Sequence, residues 1–379
     1  MYQIAILLLP IAAASGWYLA FKHYSIKPAV SSSEHAGYFK GLNYLLNEQP
    51  DKAIDVFIDL LEVDDETIDI HLALGTLFRQ RGEVEKSIRI HQNLIARPQI
   101  TQSTRFDVLN ELGMDYMRAG LLDRAESIYL ELEAVDTHEI TAIKQLLSIF
   151  QQEKEWLKSI EYASKLESIS RVKTPLTLSH LYCEMADSYQ AKDINAAKSF
   201  VKKALKTDPK CVRANVISAE IAMNAGDYKS ALKPLMSISQ QDVRFTAVYL
   251  DLFINCFDHL GRIRQKTLFL EELQTKDPSI LVLKHYIEVL LAKNDGLAAV
   301  SFMYEKLREQ PTSAYLKVYA RLIKESAEGE ELAFLREVIK QLDDGSSSFQ
   351  CTHCGFSSGH LSWNCPSCKQ WGMAEPCLA

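Results

Sequence analysis

The chain has 379 residues, 47% of them hydrophobic, and a formal net charge of −7. That length supports a large core or a long repeat array. The acidic balance argues against nonspecific nucleic-acid binding by the whole chain, which needs a basic footprint, but leaves room for a local basic patch.

The first segment, Met1 to Phe21, carries no charged side chain, and Lys22, His23 and Lys27 follow it. About 20 apolar residues at a rise of 1.5 Å span a bilayer core of roughly 30 Å. Trp17 and Tyr18 suit the membrane interface, and Pro10 is tolerable in a membrane helix. A cleaved signal peptide would want positive charge before the apolar run, and a buried soluble helix would want a polar face. Neither feature is present, so residues 1–21 are expected to be a transmembrane anchor. The positive charges after the span then place a short N-terminus in the periplasm and the bulk of the chain in the cytoplasm. Residues 22–34 read as a juxtamembrane linker.

Residues 35–342 read as a helical repeat array. Gly41, Gly75 and Gly113 each precede an aromatic residue by three positions: Tyr44, Phe78 and Tyr116. Twelve residues after each glycine stands a small residue (Ala53, Ser87, Ala125), and four further on a large one (Phe57, His91, Tyr129). The pattern continues through Phe150 and Ser159, Ala186 and Ala197, Ala219 and Ala231, and Ala299. Small residues allow two helices to cross closely, and large ones fill the space beside the crossing. Gly82, Gly120, Gly226 and Gly261 are placed to make the tight turns. A single such pair cannot bury its apolar face, so neighbours must stack. The expected fold class is all-α. Residues 313–342 fit a degenerate pair.

These offsets resemble the tetratricopeptide repeat family, although that family's Trp position is mostly lost here. The resemblance implies a superhelix whose concave groove is lined by the first helix of each pair. Projected onto this chain, the groove positions are Arg79, Asn110, Met114, Met117, Lys144, His180, Asp187, Arg213, Glu220, Asp251 and Asn255. The Lys/Asn carboxylate clamp of chaperone-binding members is not reproduced.

No phosphate-cradling glycine loop, nucleophile elbow, H-E-x-x-H or dinucleotide fingerprint occurs. The expectation is therefore a protein that is not an enzyme. The acidic run from Glu62 to Glu66 reads as a solvated loop between helices. Cys183, Cys211 and Cys256 read as core residues, and His71, His91, His138, His259 and His285 as surface or groove positions.

Five of the eight cysteines fall in the last 29 residues. That distribution is unlike a disulfide scaffold and favours a reducing compartment. A linker, residues 343–349, precedes a candidate metal-binding domain at 350–379. Two Cys-x-x-Cys pairs, Cys351/Cys354 and Cys365/Cys368, offer four thiolates at the spacing of a tetrahedral site, with bonds of about 2.3 Å. Gly355 and Lys369 hold matching places after the two pairs, while Phe356, Trp363 and Trp371 are available to cover the centre. One structural zinc ion is the expected occupant. Iron is possible in the same shell, and disulfides fit only a secreted chain. Lys369 is the one basic residue of this tail other than histidine, which argues against nucleic-acid binding.

Anchor, repeats and terminal cysteine ribbon together resemble the lipopolysaccharide assembly protein B family of Gram-negative bacteria. The stretches carrying the likeness are "LLLPIAAASGWY", "GTLFRQRGEVEKSIRIHQ", "SHLYCEMADSY" and "CTHCGF…WNCPSCKQW". That resemblance implies a rubredoxin-like terminal domain packed on the repeats. It also implies an inner-membrane adaptor that brings an LpxC-type deacetylase to the FtsH membrane protease, so that proteolysis limits lipopolysaccharide synthesis. The same parts permit a scaffold for lipopolysaccharide assembly or export that does not direct turnover. Homodimerisation is left open.

Overall fold

The structure, a computed structural model, describes residues 65–323 and 349–377, apart from positions 99, 242, 277, 278 and 294, together with scattered positions before 65. The expected anchor, juxtamembrane linker and first repeat unit fall almost wholly outside the described residues, as do residues 324–342 of the helical pair expected at 313–342. Among the described residues, no helix is long and apolar enough to cross a membrane. The chain divides into two compact units, Met1–Ile149 and Phe150–Ala379.

The first unit contains α1 (Asp65–Gln80), α2 (Val84–Ile95), α3 (Gln102–Ala119), α4 (Leu122–Glu133) and most of α5 (Glu139–Gln152). Asp65 and Glu66, read as loop, already belong to α1. Each of the first three helices packs on the next. α3 starts where the Thr101 side chain accepts the Thr104 N–H at 3.2 Å, and ends at Gly120 with φ +74°. There Gly120 N–H reaches the Met117 carbonyl and Leu121 N–H the Tyr116 carbonyl, satisfying the helix end. A side chain at that φ would meet the following carbonyl, which is why glycine stands there. Gly82 closes α1 with the same pair of bonds.

The small/large rule also has a direct cause. A Cβ on Gly75 would stand 2.3 Å from His91 Nε2, and one on Gly113 would stand 2.7 Å from the Tyr129 ring. The missing side chains let those rings lie against the opposite helix. His91 is therefore fully buried, and His71 is 5% exposed, contrary to the surface reading of both.

The second unit continues with α6 (Trp156–Ser170), α7 (Pro175–Tyr189), α8 (Ile194–Thr207), α9 (Val212–Asn224), α10 (Tyr228–Gln241), α11 (Val243–Val248), α12 (Leu250–His259), α13 (Ile263–Lys276), α14 (Ile280–Ala292), α15 (Gly296–Glu309) and α16 (Ser313–Ile323). Pro175 opens α7, where its missing N–H costs nothing. Asp193 caps α8 through the Asn195 and Ala196 N–H groups. Ala186, Ala197, Ala219, Ala231 and Ala299 are all fully buried at the anticipated crossings. Cys183, Cys211 and Cys256 are buried core residues, as expected. Gly226 and Gly261 repeat the Gly120 turn. The turn between α5 and α6 makes the same bonds with Lys154 at φ +60° in the glycine position. The short α11 was not anticipated.

Three short strands close the chain: β1 (Phe349–Cys351), β2 (Ser357–Ser358) and β3 (Ala374–Pro376). They form an antiparallel sheet in the order β2-β1-β3, with Gln350 opposite both Ser357 and Glu375. The sheet begins at Phe349, the last residue of the segment read as linker.

Candidate metal centre and groove

Each Cys-x-x-Cys pair forms a knuckle, and the two knuckles repeat one another bond for bond. Gly355 N–H donates to the Cys351 carbonyl at 2.9 Å, and Lys369 N–H to the Cys365 carbonyl at 2.8 Å. Cys351 N–H donates to the Phe356 carbonyl, and Cys365 N–H to the Gln370 carbonyl. Gly355 at φ +76° and Lys369 at φ +59° are both left-handed, so their matching places in the sequence are matching places in the backbone. The Phe356 N–H bonds the Cys354 sulfur, and the Gln370 N–H bonds that of Cys368. Such bonds spread thiolate charge.

The four Sγ atoms lie within 4.8 Å of one another. Cys351–Cys368 is 3.8 Å and Cys354–Cys365 is 3.7 Å. A tetrahedron with metal–sulfur bonds of about 2.3 Å has edges of about 3.8 Å, so the donor set fits a four-coordinate thiophilic ion. The Phe356 N–H holds the Cys354 thiol down at about 6, whereas burial pushes Cys368 up to about 12. Four thiolates this close need a cation to coexist. When bound, the ion supplies a structural crosslink between the knuckles. Cys351 and Cys365 are buried and Cys354 is exposed, so access is from one side. Phe356 is 40% exposed.

The two tryptophans of the ribbon turn to the helices. Trp371 is 4% exposed; its Nε1–H donates to Gln151 Oε1 at 3.2 Å, and its ring meets Trp156 edge-on at 6.4 Å. Trp363 stacks on Phe245 of α11 at 5.5 Å. His180 of α7 lies against both indoles, 5.4 Å from Trp363 and 5.6 Å from Trp371. A Cβ on Gly372 would be 3.0 Å from His180 Nε2 and from Leu176. The ribbon backbone therefore approaches α7 as closely as glycine permits.

His180 was read as a groove residue, and it is instead 2% exposed beneath the ribbon. Burial, with Arg213 adding to it, lowers its pKa to about 3. The ring is neutral near pH 7, and its Nδ1 has no hydrogen-bond partner.

Three of the other positions projected onto the groove in the second unit, Asp187, Arg213 and Glu220, form a charged cluster, while Asp251 and Asn255 stand outside it. Arg213 bridges Asp187 at 2.7 Å and Glu184 at 2.9 Å. Glu220 is held above its ordinary pKa by burial and by the Asp187 charge. Tyr249 is pushed up to about 12 by burial and by Glu220. Asp251 is exposed and pairs with His285 at 3.1 Å, and Asn255 is exposed.

In the first unit, Arg79 bridges Glu111 at 2.6 Å and the fully buried Asp115 at 2.8 Å. The Ser87 hydroxyl lies 2.7 Å from Asp115, and His91 Nδ1 bonds the same carboxylate. Asn110, Met114 and Met117 are half-buried along α3, and Lys144 is exposed. Glu111, Asp115, Glu184 and Gln151 were missed as partners. The spacing Glu111–Asp115 is a possible signal, since two acids four apart on a helix need a cation nearby.

Residues 349–374 match the family described as a rubredoxin metal binding domain. The chain is 34% identical to lipopolysaccharide assembly protein B of Escherichia coli strain K12, over 99% of this chain and 98% of that protein. It is 33% identical to lipopolysaccharide assembly protein B of Haemophilus influenzae strain KW20 Rd, with the same coverage. Among solved structures, a tetratricopeptide repeat protein from Parabacteroides merdae covers 73% of this chain and 99% of its own, at 14% identity and a TM-score of 0.35.

Proposed function

This chain belongs to the lipopolysaccharide assembly protein B family, and from that premise we propose that it is a membrane-anchored, non-catalytic adaptor that limits lipopolysaccharide synthesis. Residues 1–21 hold it in the inner membrane with the helices in the cytoplasm. It presents an LpxC-type deacetylase to the FtsH protease. One zinc ion on Cys351, Cys354, Cys365 and Cys368 holds the ribbon in shape.

The observation that carries the reading is the seating of the ribbon. Trp363 and Trp371 close over His180, so the ribbon and α7 form a single surface beside the Arg213 cluster. A preformed surface binds a client without paying to order itself. An anchor in the plane of the membrane raises its effective concentration toward a membrane protease, so the adaptor needs no chemistry of its own.

Depleting the protein and following the deacetylase after synthesis is stopped tests the proposal. The half-life is expected to lengthen. An unchanged half-life overturns the proteolytic role and leaves a scaffold for assembly.

A further inference from the structure

The chain is acidic overall, with 49 Asp and Glu against 42 Lys and Arg, yet between Lys192 and Lys233 there are nine Lys and Arg and four Asp and Glu. On α8, Lys198, Lys202 and Lys206 recur every four residues, which sets them in one row along the helix. On α10, Lys229 and Lys233 repeat that spacing. All five are exposed. Other lysines of the protein are tied to carboxylates: Lys86 to Glu83 at 2.7 Å, Lys158 to Glu155 at 2.6 Å and Lys306 to Glu309 at 3.0 Å. Among the described residues, none of the five forms such a pair. Like charges four apart weaken a helix, so these rows do not serve folding.

Two of the five, Lys198 and Lys202, line a pocket of about 460 Å³ between α8, α9 and the start of α10; Lys206, Lys229 and Lys233 stand outside its lining. Lys198 and Lys202 stand on one wall, Ser218 and Ser230 offer hydroxyls, and Val201 and Ile221 give it an apolar floor. The Asp227 carboxylate, also in the wall, is close enough to both Lys198 and Lys229 to feel their charge. Amines, hydroxyls and an apolar floor together suit a phosphodiester head group with the start of its acyl chain. A lone soluble phosphate would engage one or two amines and leave the rows on two helices unused. An anionic leaflet engages all of them, because its potential acts over about a Debye length.

We propose that the lysine rows of α8 and α10 are a docking surface for the anionic face of the bilayer, with one lipid phosphate seated in the pocket between them. This rests on the membrane-anchored reading, and it assigns to the bilayer a set of residues that includes none of the projected client groove positions. It would fix the orientation of the second unit at the membrane.

The test uses the full chain in vesicles of phosphatidylcholine alone and of phosphatidylcholine with phosphatidylglycerol. Flotation reports attachment, and acetylation of each lysine, read by mass spectrometry, reports coverage. The five lysines are expected to label at least about threefold less in the anionic vesicles, with the protection fading as salt rises and Lys276 unchanged. Equal labelling in both, with the chain floating in both, overturns the docking surface and leaves the anchor intact. Failure to float with neutral vesicles overturns the anchor, and protection in anionic vesicles still decides the surface. Equal protection by inorganic phosphate in neutral vesicles assigns a soluble-anion site and overturns the proposal. So does protection in neutral vesicles by an acidic cytosolic protein. The K202E/K229E variant should still float but lose protection at Lys198 and Lys206; retained protection overturns the proposal.

Discussion

The ribbon and the helix that receives it are built on opposite principles. α7 draws its stability from many small terms: Pro175 at its start, Ala186 at a crossing, and Leu181 and Cys183 in the core. No one of them is indispensable, because its neighbours supply similar terms. The ribbon has three strands of two or three residues, and its large side chains are spent on the helices rather than on itself. Four sulfur atoms must do for it what dozens of contacts do for α7. A single substitution should therefore be graded in the helices and all-or-none in the ribbon.

The largest effect follows from that contrast. Cys351→Ser removes a buried ligand and breaks the four-thiol shell. Metal-linked folding energy in small thiolate domains is on the order of 10 kcal/mol, far more than so few contacts can replace. Metal content should fall to background and the tryptophan emission should shift to the red, with far-UV circular dichroism of the helices nearly unchanged. Loss of helical signal in step with the metal would show that the two regions are not independent.

Trp371→Ala asks the converse question, whether docking can be lost while the metal stays. Truncating a buried Trp costs about 3–5 kcal/mol, and here it also leaves Gln151 without its donor and bares one face of His180. Bound metal should persist, while His180 becomes open to an imidazole-modifying reagent. Concerted loss of metal would place the helices within the folding unit of the ribbon.

The two regions also differ in how much of them could be read in advance. Local physics was legible: the Gly75–His91 and Gly113–Tyr129 oppositions, the glycine turns and the paired knuckles all follow from spacings under twenty residues. Docking was not, because it joins residues as distant as Gln151 and Trp371. Trp363 and Trp371 were expected to cover the sulfurs, and nothing in their spacing says that they turn to α7 and α11. His180 was read as a groove residue because the tetratricopeptide repeat resemblance projects its position onto the concave face of a first helix. Only the packing of two indoles against it removes the solvent. The Arg79–Asp115–His91 network was hidden likewise, since each member alone looks like a surface charge.

Acid should separate the regions next. His180 keeps its proton off until about pH 3 when docked, and the ordinary histidine value is about 6.5. Above 6.5 neither state is protonated and the term is absent. As pH falls below 6.5 the undocked state binds a proton that the docked state refuses, so docking is lost progressively, by about 2 kcal/mol at pH 5. The thiolates also weaken in acid, so the measurement is a difference: thermal stability of the protein and of His180→Phe, between pH 7 and pH 5. The variant should lose less. Equal losses would mean that the sulfurs alone sense the acid.

The smallest effects test the claim that the helices are built from interchangeable increments. Gly120 and Lys154 occupy the same left-handed turn position with the same hydrogen bonds, one without strain and one with it. A Cβ on Gly120 would meet nothing within 4 Å, so Gly120→Ala carries only the backbone penalty, about 1 kcal/mol. Lys154→Gly relieves that penalty but makes the unfolded chain freer, so its net gain is about 0.5 kcal/mol. Denaturant titrations should give shifts of opposite sign and unequal size. If Lys154→Gly destabilises instead, Lys154 contributes a contact that outweighs its strain. That turn would then be a specified feature like the ribbon knuckles, where Lys369 holds the equivalent φ beside a metal ligand.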